Sequence, residues 1–216
     1  MANSDAWVFL DLDGTMTDAG PGITKSIAHA LDKMGKTPPP LKELEQFVGP
    51  ALQETFPQLG VDDVETALTY YRERYTDVGL FENAVYDGVH QMMDDLVAKG
   101  FRLAMATAKP LVYARRITAH FDLAPRMERQ FGSELGGWLT NKKDLLEHAL
   151  IETGADPAHS FMLGDRSHDA IGAKHNGITP VGALWGFGSR AELQDAHCAA
   201  IGEAPSDIPG IVERLR

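Results

Sequence analysis

Trp7-Val8-Phe9-Leu10-Asp11-Leu12-Asp13-Gly14-Thr15-Met16-Thr17-Asp18 decides the reading of this chain. An apolar run that stops abruptly at carboxylates is the pattern of a buried parallel strand that delivers acids to its carboxyl end. Asp11 and Asp13 are two positions apart, so an extended backbone points both side chains to one side. Gly14 lets the chain turn away and leaves the pair at the rim. Asp and Gly are also common in simple capped turns. Here, though, acid, acid, Gly, Thr and a further acid follow directly on an apolar strand, which is the context a functional motif requires. Such a rim suits a hard cation held by oxygen atoms. Mg²⁺ fits best, because it takes few protein carboxylates and keeps water or substrate phosphate in its shell. One carboxylate is then placed to attack phosphorus while the other handles protons.

Asp11-Leu12-Asp13-Gly14-Thr15 with Asp18 resembles the first motif of the haloacid dehalogenase superfamily of phosphohydrolases. The resemblance implies that Asp11 is the nucleophile and metal ligand. It implies that Asp13 is the general acid/base whose main-chain oxygen also binds Mg²⁺. Gly14 and Thr15 are expected at the substrate, and Asp18 behind it.

Composition sets limits. The chain has 216 residues, 44% hydrophobic and 24% charged, enough for one core and a smaller accessory unit. A net charge of −11 argues against nucleic acid or an anionic membrane as partner. An anionic substrate must therefore be drawn in by a local positive site. Cys198 is the single cysteine, which excludes an intrachain disulfide and points to a reducing compartment. The start lacks signal-peptide character and no apolar stretch reaches membrane-spanning length, so a cytoplasmic location is expected.

Ala19-Gly20-Pro21-Gly22 opens a helical block. Ile23, Ile27, Ala30, Leu31 and Met34 recur at helical spacing, Pro38-Pro39-Pro40 interrupts, and further helices cover Leu41–Phe47, Ala51–Phe56 and Val64–Tyr75. No strand is expected between Asp18 and Ala84. A helical block inserted straight after a strand-end motif implies a small lid. Gly22-Ile23-Thr24-Lys25-Ser26, Phe47-Val48-Gly49-Pro50 and Gly79 to Gly88 together resemble the helical cap of the phosphoglycolate phosphatase-like branch, which includes 5′-nucleotidases. The domains expected are a core of residues 1–17 and 85–216 and a cap of residues 18–84. Lys25 and Arg72 are the cationic candidates for substrate contact in the cap, although charges on helix faces are usually solvated.

Phe101 to Thr107 reads as a second strand ending in a hydroxyl, followed by Ala108-Lys109-Pro110 and a helix. A strand-terminal Thr can be a helix cap or a phosphate ligand. It resembles the superfamily's second motif, which places Thr107, Ala108 and Lys109 at the phosphoryl group. Gly132 to Asn141 reads as irregular. Lys142-Lys143 then opens a helix with charge opposed to the macrodipole. The resemblance implies one catalytic lysine here, assigned to Lys142 with Lys143 as rival. Ser160 to Gly164 is a third strand, and Asp165-Arg166-Ser167-His168-Asp169 follows. By resemblance to the fourth motif, Asp165 is a metal ligand, Asp169 supports the metal's water or the lysine, and Arg166 braces its neighbours. His168 reads as a neutral surface residue, and the histidines show no metal-ligand spacing. Thr179 to Leu184 is a fourth strand, with Trp185-Gly186-Phe187-Gly188 at its end and a short edge strand at Cys198–Ile201.

Strands alternating with helices imply an α/β, Rossmann-like parallel sheet with an inserted α-helical cap. A parallel sheet gathers Asp11, Thr107 and Asp165 on one edge, where open α/β folds bind ligands. The function expected is a Mg²⁺-dependent phosphatase acting on a small phosphorylated metabolite, phosphoglycolate-like or a nucleoside monophosphate, through an aspartyl-phosphate. A phosphomutase, a haloacid dehalogenase and a silent binding protein are the alternatives. Asp13 and Asp165 count against the dehalogenase, which needs neither. Monomer and homodimer are both compatible.

Overall fold

A computed structural model describes residues 6–216. In chain order the elements are β1 (Trp7–Leu10), β2 (Thr17–Asp18), α1 (Gly20–Lys33), α2 (Leu41–Leu44), α3 (Leu52–Gln58), α4 (Val64–Tyr75) and β3 (Ala84–Val85). They continue with α5 (Val89–Ala98), β4 (Arg102–Pro110), α6 (Leu111–His120), β5 (Arg129–Ser133), α7 (Lys142–Thr153) and β6 (Phe161–Gly164). The chain closes with α8 (Ser167–His175), β7 (Thr179–Ala183), α9 (Arg190–Asp195), β8 (Ala200–Gly202) and α10 (Ile208–Leu215).

Six strands form one parallel sheet in the order β5-β4-β1-β6-β7-β8. The chain runs outward from β1 through β4 to β5, then returns to the other side of β1 for β6. That reversal opens a crevice at the carboxyl ends of the central strands. Strand β1 shows why both faces are covered. Val8 and Leu10 enter a core with Met92, Leu96, Ile117 and Val212, while Trp7 and Phe9 enter a second core with Leu145, Leu146, Ala149 and Ala173. The two-residue period of a strand sends alternate side chains to opposite layers. Asp11 continues the register of Trp7 and Phe9, so its carboxylate emerges on the layer of α7 and α8.

Helices α1 to α4 lie between β2 and β3, which pair antiparallel as Thr17↔Val85 and Asp18↔Ala84. Helix α1 buries Ile23, Ile27, Ala30 and Leu31, the residues whose spacing predicts it. Asp63 caps α4 by accepting from Thr66 N at 3.1 Å, one of the donors that a helix start leaves free.

Two expectations are corrected. The segment expected to be irregular from Gly132 begins inside a strand: β5 pairs with β4 over Ala104↔Arg129 to Thr107↔Gly132. Strand β4 also runs on to Pro110, with a break in register after Thr107, instead of turning at Ala108.

Candidate active site

The carboxyl edge brings Asp11, Asp13, Thr107, Lys142, Asp165 and Asp169 into the buried interior. Asp11 N extends the β1 ladder by donating to Leu163 O at 3.0 Å, which fixes the aspartate beside β6. Asn141 caps α7 by accepting from Lys143 N at 2.9 Å, and the first turn then points Lys142 into the sheet edge. Lys142 Nζ lies 2.9 Å from Asp11 Oδ1 and 2.7 Å from Asp169 Oδ1, and it donates to Ala106 O at 2.8 Å. These contacts resolve the misfit of a lysine at a helix start, because two carboxylates outweigh the helix dipole. Lys143 is half-exposed and takes no part in this contact set.

Burial disfavours the charge on Lys142, but Asp11 and Asp169 outweigh it and raise the pKa above the usual lysine value. Burial also works against the Asp169 carboxylate; Lys142, His168 and the Arg166 main chain overcome it and hold Asp169 below the usual range. For Asp11 burial prevails over Lys142, and with Asp169 nearby its pKa is raised.

Asp165 is held differently. Its Oδ2 accepts from Phe187 N at 2.8 Å and its Oδ1 accepts from Thr15 Oγ1 at 3.3 Å. Gly14, in the left-handed region at φ 85°, packs so closely on this carboxylate that a Cβ there would collide with it. No Lys or Arg pairs with Asp165 among the described residues, and burial, Asp169 and Asp11 push its pKa well up. A buried carboxylate oriented by two donors and short of positive charge has the chemistry to take a hard divalent cation. Among the described residues, the acidic grouping whose possible ligand atoms all lie within 4.8 Å of one another is Asp11, His168 and Asp169. There Lys142 already lies between the two carboxylates, so the Asp165 side is the better fit.

Asp13 faces the inserted helices. Its Oδ2 accepts from Lys109 Nζ at 2.6 Å, its Oδ1 is buried with no partner, and Lys109 lies 4.9 Å from the centre of the Tyr75 ring. A cleft opens at this point, lined by Asp13, Ala108, Lys109 and Tyr113 from below and by Phe47, Gly49 to Gln53, Tyr71, Arg72 and Tyr75 from above. Tyr71 and Tyr75 stack at 5.0 Å between ring centres, and Tyr113 meets Tyr75 edge-on at 5.8 Å. Thr107 is buried at the same edge, and its hydroxyl accepts from Lys109 N at 3.3 Å.

Other expectations are relocated. Lys25 does not line the cleft; it pairs with Glu82 at 2.9 Å, whereas Arg72 does line it. Asp18 accepts from Gly20 N at 3.1 Å and so caps the entry to α1. His168 is half-exposed, but its Nε2 is buried, 3.7 Å from Asp169 Oδ1. The tyrosine walls, and the donation from the Phe187 amide to Asp165, had no sequence reading. For Phe187 the available signal was the Gly186 and Gly188 pair, whose missing side chains let the loop close on Asp165.

Residues 8–183 match the family model for haloacid dehalogenase-like hydrolases. A 5′-nucleotidase of Pseudomonas aeruginosa is 43% identical over 193 residues, 88% of this chain and 87% of that protein. The tyrosine-protein kinase PtkA of Mycobacterium bovis is 38% identical over 204 residues, 91% of this chain and 70% of the relative. Among solved structures, one described as a predicted phosphatase from Clostridium acetobutylicum superposes with a TM-score of 0.93 at 36% identity, covering 97% of this chain and 98% of the other. The sheet order, the acids at its carboxyl edge and these matches agree: the chain belongs to the haloacid dehalogenase-like hydrolase family and is a phosphatase-type member of it.

Proposed function

We propose that the chain hydrolyses a small phosphate monoester through an aspartyl-phosphate on Asp11, with nucleoside monophosphates as the foremost substrate class. The carrying observation is that Asp11 pairs with Lys142, while Asp165, near enough to feel the Asp11 charge, has no Lys or Arg partner among the described residues. Asp11 attacks phosphorus; the new bond is an acyl phosphate and the bond broken is that to the leaving oxygen. Asp13 gives its proton to that oxygen, then accepts one from the water that attacks the acyl phosphate. Lys142 and the Thr107 hydroxyl hold the phosphoryl oxygens, together with Lys109 and the turn Gly14-Thr15. Asp11, Asp165 and the Asp13 main-chain oxygen would hold Mg²⁺, which when bound supplies charge to offset that of the phosphoryl group.

In this reading residues 18–84 are a cap over a core of 1–17 and 85–216, with β2 and β3 as the connection. Phe47 and the tyrosine walls favour a substrate with a planar organic part, because aromatic surfaces stack well on such groups. Phosphoglycolate offers little surface to those rings. The name of the Pseudomonas relative supports the same class. The name of the kinase relative raises a different acceptor, as does the phosphomutase alternative. The test is free phosphate release across a panel of nucleoside monophosphates, phosphoglycolate and p-nitrophenyl phosphate, with and without EDTA. Chelator-sensitive release that is fastest for nucleotides is expected. Phosphoryl transfer to another hydroxyl without phosphate release would contradict the assignment.

A further inference from the structure

An arginine between two acids invites the expectation that it pairs with them. Arg166 does not. Its side chain turns away from Asp165 and Asp169, and its Nε donates to Glu192 Oε1 at 3.1 Å. Its Nη1 donates to Val48 O at 2.9 Å and Gln46 O at 3.3 Å, in the loop between α2 and α3 of the inserted block. Glu192 is fixed in turn, since the same oxygen accepts from Ser167 N at 2.8 Å. The main chain of Arg166 faces the other way: its N–H donates to Asp169 Oδ2 at 3.2 Å, and Asp169 pairs with Lys142. One residue therefore touches the inserted loop through its side chain and the Lys142-Asp11 set through its backbone.

The loop is shaped to lie there. Gly49 adopts φ 106°, and the atoms nearest to a Cβ at this position would be Arg166 Cγ at 3.4 Å and His168 Cε1 at 3.5 Å. The next residues, Gly49 to Gln53, form part of the upper wall of the cleft. We propose that Arg166 is a positioning residue that anchors loop 46–50 over the cleft and sets the loop against the turn that carries Asp165. A guanidinium is suited to this, because its Nε and Nη1 donate in different directions from one rigid plane, so bonding Glu192 and the two carbonyls holds the side chain in a single orientation. The kinetic consequence rests on the phosphatase reading above; the structural consequence does not.

The test is hydrogen exchange of the whole chain, with wild-type kinetics alongside. In Arg166→Met, amides of residues 44–53 are expected to lose about tenfold in protection, as suits loss of charge-assisted bonds, while β1, β4 and β6 keep theirs. KM for a nucleoside monophosphate rises about tenfold and kcat changes less than about twofold, because the loop shapes the cleft and leaves Asp11 untouched. Arg166→Lys keeps the charge and the Glu192 contact yet loses the fork, and it is expected to loosen the same segment. It also carries the test if the methionine variant fails to fold. Unchanged exchange over 44–53, or full protection in Arg166→Lys, overturns the anchor. Absence of phosphate release by the wild type would instead overturn the phosphatase reading and leave the exchange result standing.

Discussion

Two lysines meet two aspartates of one turn, and they do so in opposite ways. Lys142 comes from α7 of the layer behind the sheet, and its ammonium contacts Asp11, Asp169 and the Ala106 carbonyl. Lys109 comes from the end of β4 and meets Asp13 beneath a tyrosine ring, on the wall of an open cleft. At Lys142 the ammonium has its partners built in, and beside it His168 Nε2 is buried without a hydrogen bond. On the Asp13 side two buried atoms, Asp13 Oδ1 and the Tyr75 hydroxyl, have no partner. Buried polar atoms are normally satisfied, and exceptions mark places where something else is received. Under the proposed function the difference divides the labour: the Lys142 side would be a fixed electrostatic frame for the reacting atoms, and the Lys109 side the place where the substrate arrives.

Five substitutions challenge that division. Asp11→Asn removes the nucleophile and should lower phosphate release by on the order of 10⁴-fold or more without loss of the folded state. Initial rates together with a melting curve check this, and near-normal turnover would erase the distinction between the two sides. Lys142→Met should cost on the order of 10²- to 10³-fold in kcat, as loss of a fixed charge at the transition state does.

Asp165 gives a pH signature. Its folded-state pKa lies well above 3.8, the ordinary carboxylate value, so the folded protein binds more protons than the unfolded one. In EDTA, the Asp165 contribution to stability, read as wild type minus Asp165→Asn, should therefore fall as pH rises from 3.8 through the folded-state pKa. Asp165→Asn should melt a few degrees higher than wild type at neutral pH, because it removes a buried charge that lacks a partner. Added Mg²⁺ should stabilise the wild type and not this variant. A wild-type-minus-variant difference that rises over the same pH window would refute the account of Asp165.

On the other side of the turn, Arg72→Ala should raise KM for nucleoside monophosphates about tenfold with kcat nearly unchanged, the pattern of lost uniform binding. Comparison of full kinetic curves checks this. Equal loss in kcat and kcat/KM would place Arg72 in the chemical frame instead. The smallest effect belongs to Tyr75→Phe. Its hydroxyl is buried without a partner, so removing it should leave stability unchanged or improve it by about 1 kcal/mol. Thermal denaturation decides it.

The sheet and its acids were legible because each functional strand ends a dense apolar run: Trp7–Leu10 before Asp11, Leu103–Ala106 before Thr107, Phe161–Gly164 before Asp165. Strand β5 was not legible. Arg129-Gln130-Phe131-Gly132-Ser133 forms the sheet's edge, where an open side tolerates polar residues and the run never becomes apolar. Lys25 failed for another reason. Helical spacing gives the face a residue shares, but Glu82, far along the chain, decides where this ammonium goes. The partners of Arg166 lie in a loop more than a hundred residues earlier, and the Phe187 amide that orients Asp165 is a backbone group with no side-chain signature. Local pattern finds the strand ends; contacts made only by the folded chain decide the rest.

The central claim is that Asp11 carries the phosphoryl group. Its most direct test is to quench the enzyme during turnover, reduce acyl phosphates with borohydride, and locate the modified residue by peptide mass spectrometry. The account predicts reduction of the Asp11 side chain to the alcohol, dependent on substrate and on Mg²⁺. No modified aspartate, or modification at Asp13 or Asp165 in its place, would contradict it.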